Sequence, residues 1–467
     1  MLSGEPETWL AYLHGQQIDN LPLLTSKKPR YSGFFLQVSK FIVFLLWDLC
    51  LKQPPELNRS AKFLVFAGTA NQMDSLDQTI ESLKERGEEL VCIGDPRLLS
   101  DKDKGKNYAP CQLSVTDIAR TLFLLATRGL GLYRGLKASH PVSVGWYFAN
   151  FCQVYRYLSY FYRVLSQVQP EFVITANDHN VPNRCMLGVA HHLGINTVYM
   201  QHASVSPLFP ALRVNYAFLD GQCALDTYRE CELNQPDTAR EVPIPKVILS
   251  GQKKHLRRTN RPHKKVVGVA FNALDNAEAG IAFVNALADN GLMVRLRWHP
   301  GQAPRDTEQY RRAFVNSEQV MLSYPRKEPI SDFMEQIGWL IAGNSSIHLE
   351  AGLAGVMPIY YEIEPTGRPD YYGYVKRGLS EPAASVAEVL QLIENTRDNH
   401  RPNADAVRCY SSTYLTEWEN REGELVAECL GRLYTGAELP VDVIDFEHMV
   451  LKCSEFVPQT HQLAVDS

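Results

Sequence analysis

The sequence predicts an α/β protein made of two parallel, Rossmann-like domains that face a common cleft, with an N-terminal helical extension. Three observations predict this class. Short apolar runs such as residues 63–67 and 172–176 alternate with stretches of helical period, the rhythm of βαβ units. The rhythm stops at a polar, basic segment, residues 253–265, and then starts again. In both halves the apolar runs end in polar residues, as strands of a parallel sheet do where ligands bind.

A chain of 467 residues exceeds one ordinary domain, so two or three are expected. An apolar fraction of 45% with 21% charged residues places it among folded globular proteins. A net charge of −5 gives no reason to expect a nucleic-acid partner. Ten cysteines are scattered singly without zinc-ligand spacing, which reads as buried free thiols in a reducing compartment and no metal site. The acidic, polar first residues do not resemble a secretory signal, so a cytoplasmic protein is expected.

Residues 1–60 read as a helical extension punctuated by Pro22, Pro29, Pro54 and Pro55. Its greasiest stretch, residues 34–50, is interrupted by Gln37, Ser39, Lys40 and Asp48, and is too short to span a bilayer. The plain reading is a buried helix. The sharper one is a peripheral contact with the inner face of a membrane, with Phe41, Phe44, Leu45 and Trp47 in the lipid interface.

The first domain is expected over residues 61–251. It opens with a strand at 63–67, an amphipathic helix from about 75 to 86 and a strand at 90–94. Residues 113–168 read as two long helices broken near His140-Pro141. The second is rich in aromatic rings that could cradle a sugar, although a stripe at helical spacing is more often core. Strands at 172–176, 196–200 and 216–219 end in Asp178, His202 and Asp220, and a strand at 247–251 closes this half. The basic linker, 252–265, reads as a solvated connection, with an anionic acceptor or membrane phosphates as the minor reading.

The second domain, 266–400, alternates more regularly, with five strands at 266–270, 293–298, 320–322, 339–342 and 356–361. Helices follow over 401–436, within one long stretch from about 405 to 434, and the tail 437–467 has no clear period.

Two polar signatures in this half point to a phosphate site. Arg297-Trp298-His299-Pro300 closes one strand, and an imidazole there can donate to a phosphate oxygen. Gly343-Asn344-Ser345-Ser346 closes another and opens a helix, where hydroxyls and free backbone N–H groups hold anions. The plain alternative for Ser345 is a helix N-cap. Glu350, one turn on, could reach ribose hydroxyls or could simply be an acid favoured by the helix dipole. Asn272, in the loop 271–275 after the first strand of this half, lies near the expected switch point.

An Arg-x-His-Pro strand end followed by a Ser-Ser helix start resembles the HP and SS motifs of certain bacterial glycosyltransferases of GT-B architecture. They include polysialyltransferases, β-Kdo transferases and CDP-glycerol-dependent teichoic acid polymerases of surface polysaccharide biosynthesis. The resemblance covers mainly residues 265–400. It implies an inverting, metal-independent transfer from a nucleotide-activated donor, which is a substrate, with no cofactor. It also implies that His299 contacts the donor phosphate, that Ser345 and Ser346 hold it, and that Glu350 binds the ribose. The first domain would then take a saccharide or glycolipid acceptor. Such a transfer needs a general base. Asp178 is the first candidate and His202 the second, with strand-end capping as the alternative for both. Gln201-His202 resembles the histidine-bearing strand end of the teichoic acid polymerases, but Ala203 stands where they carry glycine. The acidic-acidic-glycine base motif of polysialyltransferases is also missing. The donor expected is a CMP-linked acidic sugar, with CDP-glycerol or a UDP-sugar as alternatives. A nucleotide-sugar epimerase and a non-catalytic scaffold of polysaccharide export are the competing readings.

Overall fold

The computed structural model describes residues 7–10, 33–47, 57, 61–95, 108–234 without 208, 243–253, 256, 266–396 without 273, 274, 303, 365, 366 and 368, and 401–446. Most of the basic linker, all four prolines named in the extension, and residues 447–467 lie outside these.

Two helices of the extension are described, α1 (Glu7–Leu10) and α2 (Phe34–Trp47). The first sheet then begins with β1 (Phe63–Ala67), α3 (Ala70–Glu85), β2 (Leu90–Gly94) and β3 (Ala109–Pro110). The Thr69 hydroxyl caps α3 by accepting the Gln72 N–H, so this helix starts five residues earlier than its apolar period suggests. Residues 113–168 form three helices, α4 (Val115–Ser139), α5 (Pro141–Phe151) and α6 (Gln153–Val168). The break at His140-Pro141 is as expected, and a second at Cys152 divides the expected long helix. Its rings Phe148, Phe151, Tyr155, Tyr160 and Phe161 are core.

The sheet continues with β4 (Phe172–Thr175), α7 (Val181–His192), β5 (Asn196–Met200), β6 (Tyr216–Leu219), α8 (Gln222–Cys231) and β7 (Lys246–Leu249). The second sheet holds β8 (Val266–Phe271), α9 (Ala277–Asp289), β9 (Met293–Trp298), α10 (Pro304–Phe314) and β10 (Val320–Ser323). It continues through α11 (Ile330–Glu335), β11 (Trp339–Ala342), α12 (Ile347–Ala354), β12 (Met357–Tyr360), β13 (Glu381–Pro382) and α13 (Val386–Asn395). The short β13 adds a sixth strand to the five expected. The chain ends, as described, with α14 (Ala404–Tyr410), α15 (Glu422–Thr435) and β14 (Val443–Asp445).

Strand order is β3-β2-β1-β4-β5-β6-β7-β14 in the first sheet and β10-β9-β8-β11-β12-β13 in the second, and every described pairing except β14 with β7 is parallel. Both sheets carry helices on two faces, which explains the uninterrupted burial of β1: Leu64 and Phe66 face α4–α7, while Phe63 and Val65 face α3.

The expected single helical stretch after residue 405 is two helices, because Leu415 and Asn420 adopt positive φ between them. α15 does not stay with the second domain. Its Leu425, Val426 and Leu430 pack with Met73, Leu76 and Ile80 of α3, and β14 then pairs with β7, so the final described elements complete the first domain. Cys223 and Cys409 are joined by a disulfide across a separation of 186 residues, which corrects the reading of every cysteine as a free thiol. Six further described cysteines are free and buried.

Candidate functional site

In the second sheet the strand order reverses between β8 and β11, so the crevice outside their carboxyl ends is the switch point. Asn272 follows β8, and its N–H donates to the Asp275 carboxylate at 2.7 Å. Burial pushes Asp275 up to about 6. His299 ends β9 and is exposed, followed by exposed Pro300. The Gly301 N–H donates to His299 Nδ1 at 3.0 Å, which places the ring proton of the neutral form on Nε2. His299 therefore offers an N–H donor at the strand end. A cavity of about 420 Å³ lies beside it, with Trp298, Tyr324, Arg326 and Lys327 in its wall.

Arg297 of the same signature has a bracing role. It donates to the Ser323 hydroxyl at 2.8 Å and to the Glu328 carbonyl at 3.1 Å, tying β9 to β10 and the loop beyond.

The loop after β11 is held from below. His348 is wholly buried; Nε2 donates to the Gly343 carbonyl at 2.9 Å, and Nδ1 accepts from the Ser380 hydroxyl at 2.9 Å. Burial lowers this imidazole to about 4 and keeps it neutral. Asn344 is also a brace: its amide donates to Glu362 at 2.9 Å and its carbonyl accepts from the Tyr371 N–H at 2.8 Å. Ser345 is half-buried, and its hydroxyl accepts from the Ile347 N–H at 3.4 Å. Ser346 is exposed, occupies the N-cap position of α12, and makes no capping bond with its side chain. Glu350 lies half-buried in the first turn of α12, where its charge acts on Arg297.

The first domain places its candidates differently. Asp178 is 3% exposed, and Oδ1 accepts from His179 Nδ1 at 3.1 Å. The other oxygen is buried without a hydrogen bond, and the charge raises Tyr199 and Tyr228 further above burial's effect. Asp178 is thus turned inward, and the group at the strand end is His179, which sequence reasoning passed over. Asn177 shapes this turn by accepting the His179 and Asn180 N–H groups at 3.0 and 2.8 Å, and its amide reaches His179 Nε2 at 3.1 Å. An Asp-His pair directly after a buried strand was the available signal. His202 is half-buried at the end of β5. Asp220 is buried in an ion pair with Lys253 at 3.4 Å, where it anchors the start of the linker.

The two carboxyl edges meet through the loop after β12. The Tyr374 hydroxyl lies 3.0 Å from Ser204 Oγ, the Tyr371 hydroxyl 2.6 Å from Ser206 Oγ, and Arg377 pairs with Asp226 at 3.2 Å. Since the Tyr371 N–H also binds Asn344, this loop connects the β11 turn to the first domain. Among the described residues, no group of three or more His, Cys, Asp or Glu could hold a metal ion.

No protein-family profile matches the chain, and no curated protein matches it. Solved structures do. A Listeria monocytogenes protein described as a UDP-N-acetylglucosamine 2-epimerase superposes with a TM-score of 0.52 at 10% identity, over 82% of this chain and 100% of that one. Another UDP-N-acetylglucosamine 2-epimerase gives 0.52 at 13%, over 83% and 100%. MurG of Acinetobacter baumannii gives 0.47 at 11%, over 79% and 99%. The chain has the architecture called GT-B, two Rossmann-like domains meeting across the carboxyl edges of their sheets.

Proposed function

We propose that this protein is a nucleotide-sugar-dependent glycosyltransferase. It moves an acidic sugar from a CMP-linked donor, with inversion and without a metal, to a surface polysaccharide or glycolipid. The observation that carries the reading is the pair of anion donors flanking β8. His299 presents Nε2–H on one side, and the start of α12 with the Ser345 and Ser346 hydroxyls lies on the other. Strands two places apart are separated by ~10 Å, a span that a phosphate held between side chains from both can bridge.

In this reading Ser345, Ser346 and the first N–H groups of α12 hold the donor phosphate, Asn272 borders it, and Glu350 takes the ribose hydroxyls. His299 and Pro300 close the other side. The acceptor hydroxyl attacks the anomeric carbon opposite the phosphate. A carbon–oxygen bond to the acceptor forms as the bond to the phosphate oxygen breaks, and the leaving phosphate keeps that electron pair. His299 and the helix start stabilise the charge. The hydroxyl proton passes to a base of the first domain, His202, since both ring nitrogens of His179 are engaged by Asp178 and Asn177. Asp178 orients His179 through Nδ1, a positioning role in place of direct contact.

His299→Ala and the double change Ser345→Ala/Ser346→Ala should each lower turnover about 10²–10³-fold while thermal midpoints stay unchanged. A thermal-shift screen with CMP, CDP, UDP and GDP identifies the donor used in that assay. Full activity in both variants overturns the assignment. The second reading, a nucleotide-sugar epimerase, is favoured by the two neighbours described as such, and conversion of donor without any acceptor would establish it.

A further inference from the structure

We propose that α2 and α4 form a docking surface for an anionic lipid bilayer. α2 uses its two sides for different purposes. Phe41 and Leu45 are buried in the core of the first domain, so the expectation that they enter lipid is corrected. The opposite side exposes Phe35 at 83%, Leu36 at 54%, Val43 at 64% and Phe44 at 55%. α4 repeats the pattern, with Phe123 at 61% and Leu130 at 52% outside and Leu124, Leu132 and Leu136 inside. The helices adjoin, since Phe34 packs on Tyr133 with ring centroids 4.8 Å apart and both rings pack on Phe148 of α5. Single exposed apolar side chains are normal on a soluble surface, whereas a grouping of this size marks a binding face.

Charge selects the occupant. The chain carries a net charge of −5, yet α2 and α4 hold Lys40, Arg120, Arg134 and Lys137, besides Arg128, which pairs with Glu7 of α1, against one acid of their own, Asp117. Asp117 is buried and paired with Arg163 at 2.8 Å, so it does not offset the surface. α5, between the two helices, has no charged residue. Large apolar side chains bordered by bases suit a headgroup layer of negative lipids, with the rings below the phosphates and the ammonium and guanidinium groups among them. No helix among the described residues is long and apolar enough to cross a membrane, so α2 would lie in the interface.

The test is flotation of the full chain with vesicles of phosphatidylcholine mixed with phosphatidylglycerol, and with phosphatidylcholine alone, at low and high salt. Binding should require the anionic lipid and weaken with salt. Phe35→Ser and Phe44→Ser should each reduce it about tenfold, and Arg134→Gln/Lys137→Gln about thirtyfold. All of these positions are exposed, so thermal midpoints and nucleotide binding should not change. That separates this surface from the transfer chemistry. Absence of flotation with the phosphatidylglycerol-containing vesicles overturns the proposal, as does equal flotation with phosphatidylcholine alone. So does light scattering that shows a dimer dispersed by the same phenylalanine changes, since the face would then be covered by a second copy.

Discussion

His299 and His348 show how the surroundings of one residue type decide its use. His299 is exposed, receives a backbone N–H on Nδ1 and presents Nε2–H outward, whereas His348 is sealed beneath the β11 turn and spends both nitrogens on Gly343 and Ser380. Burial lowers His348 to about 4, below the ~6.5 of a free imidazole. A depressed pKa stabilises the fold fully above pH ~6.5, and the contribution is lost as pH falls through that value toward 4. His348→Gln should therefore flatten the pH dependence of the denaturant midpoint in this window, removing a slope worth on the order of 3 kcal/mol. Unchanged slopes would show that His348 does not report on folding there. Polar residues at strand ends were legible in the sequence because apolar runs stop abruptly. Which of them faces outward was not, because Asp178 and His179 are adjacent and only the burial of Asp178 in the folded protein shows its carboxylate turned inward. Arg297 likewise reads as part of a ligand signature until Ser323 and Glu328 are seen to occupy it.

At the scale of elements, the longer parallel strands of both sheets were legible because each is a short, largely apolar run, and burial on two faces leaves no other sequence pattern for a parallel strand. The two-residue β3 and β13 carry no such run and were not legible. Three further features were not. β14 is three residues long and its partner β7 lies far back in the chain, so nothing local marks it. The turn between α14 and α15 takes its positive φ values at Leu415 and Asn420, without the glycine or proline that usually signals a break. The destination of α15 depends on Gly423, where an added Cβ would stand 2.5 Å from the Gln78 side chain and 2.7 Å from its backbone carbon. Gly423→Ala should push α15 away from α3 and cost ~1–3 kcal/mol, measured by chemical denaturation. A neutral result would mean that α15 has room to shift.

For the whole molecule, connections between distant parts of the chain hold the domains in register. The Cys223–Cys409 bond joins α8 to α14, and nearby the Ser412 N–H donates to the Asp220 carbonyl at 2.8 Å and the Gln252 N–H to Ser411 at 3.0 Å. Closing so long a loop restricts the unfolded chain by a contribution of about 2–5 kcal/mol. Reductant should therefore lower the unfolding midpoint of the native protein and leave that of Cys409→Ser unchanged, with thiol alkylation read by mass confirming the redox state. Equal midpoints with and without reductant would argue against a stabilising bond. The return of α15 and β14 to the first sheet has a further consequence for biosynthesis. The side chains that cover α3 and the strand that pairs with β7 are translated after the entire second domain. Until residues 422–445 leave the ribosome, the older half of the nascent chain has an uncovered apolar face and an unpaired sheet edge, both hazards for aggregation. Its folding is therefore completed late, and a chaperone that shields that face during synthesis would act on the first domain even while the second is being made.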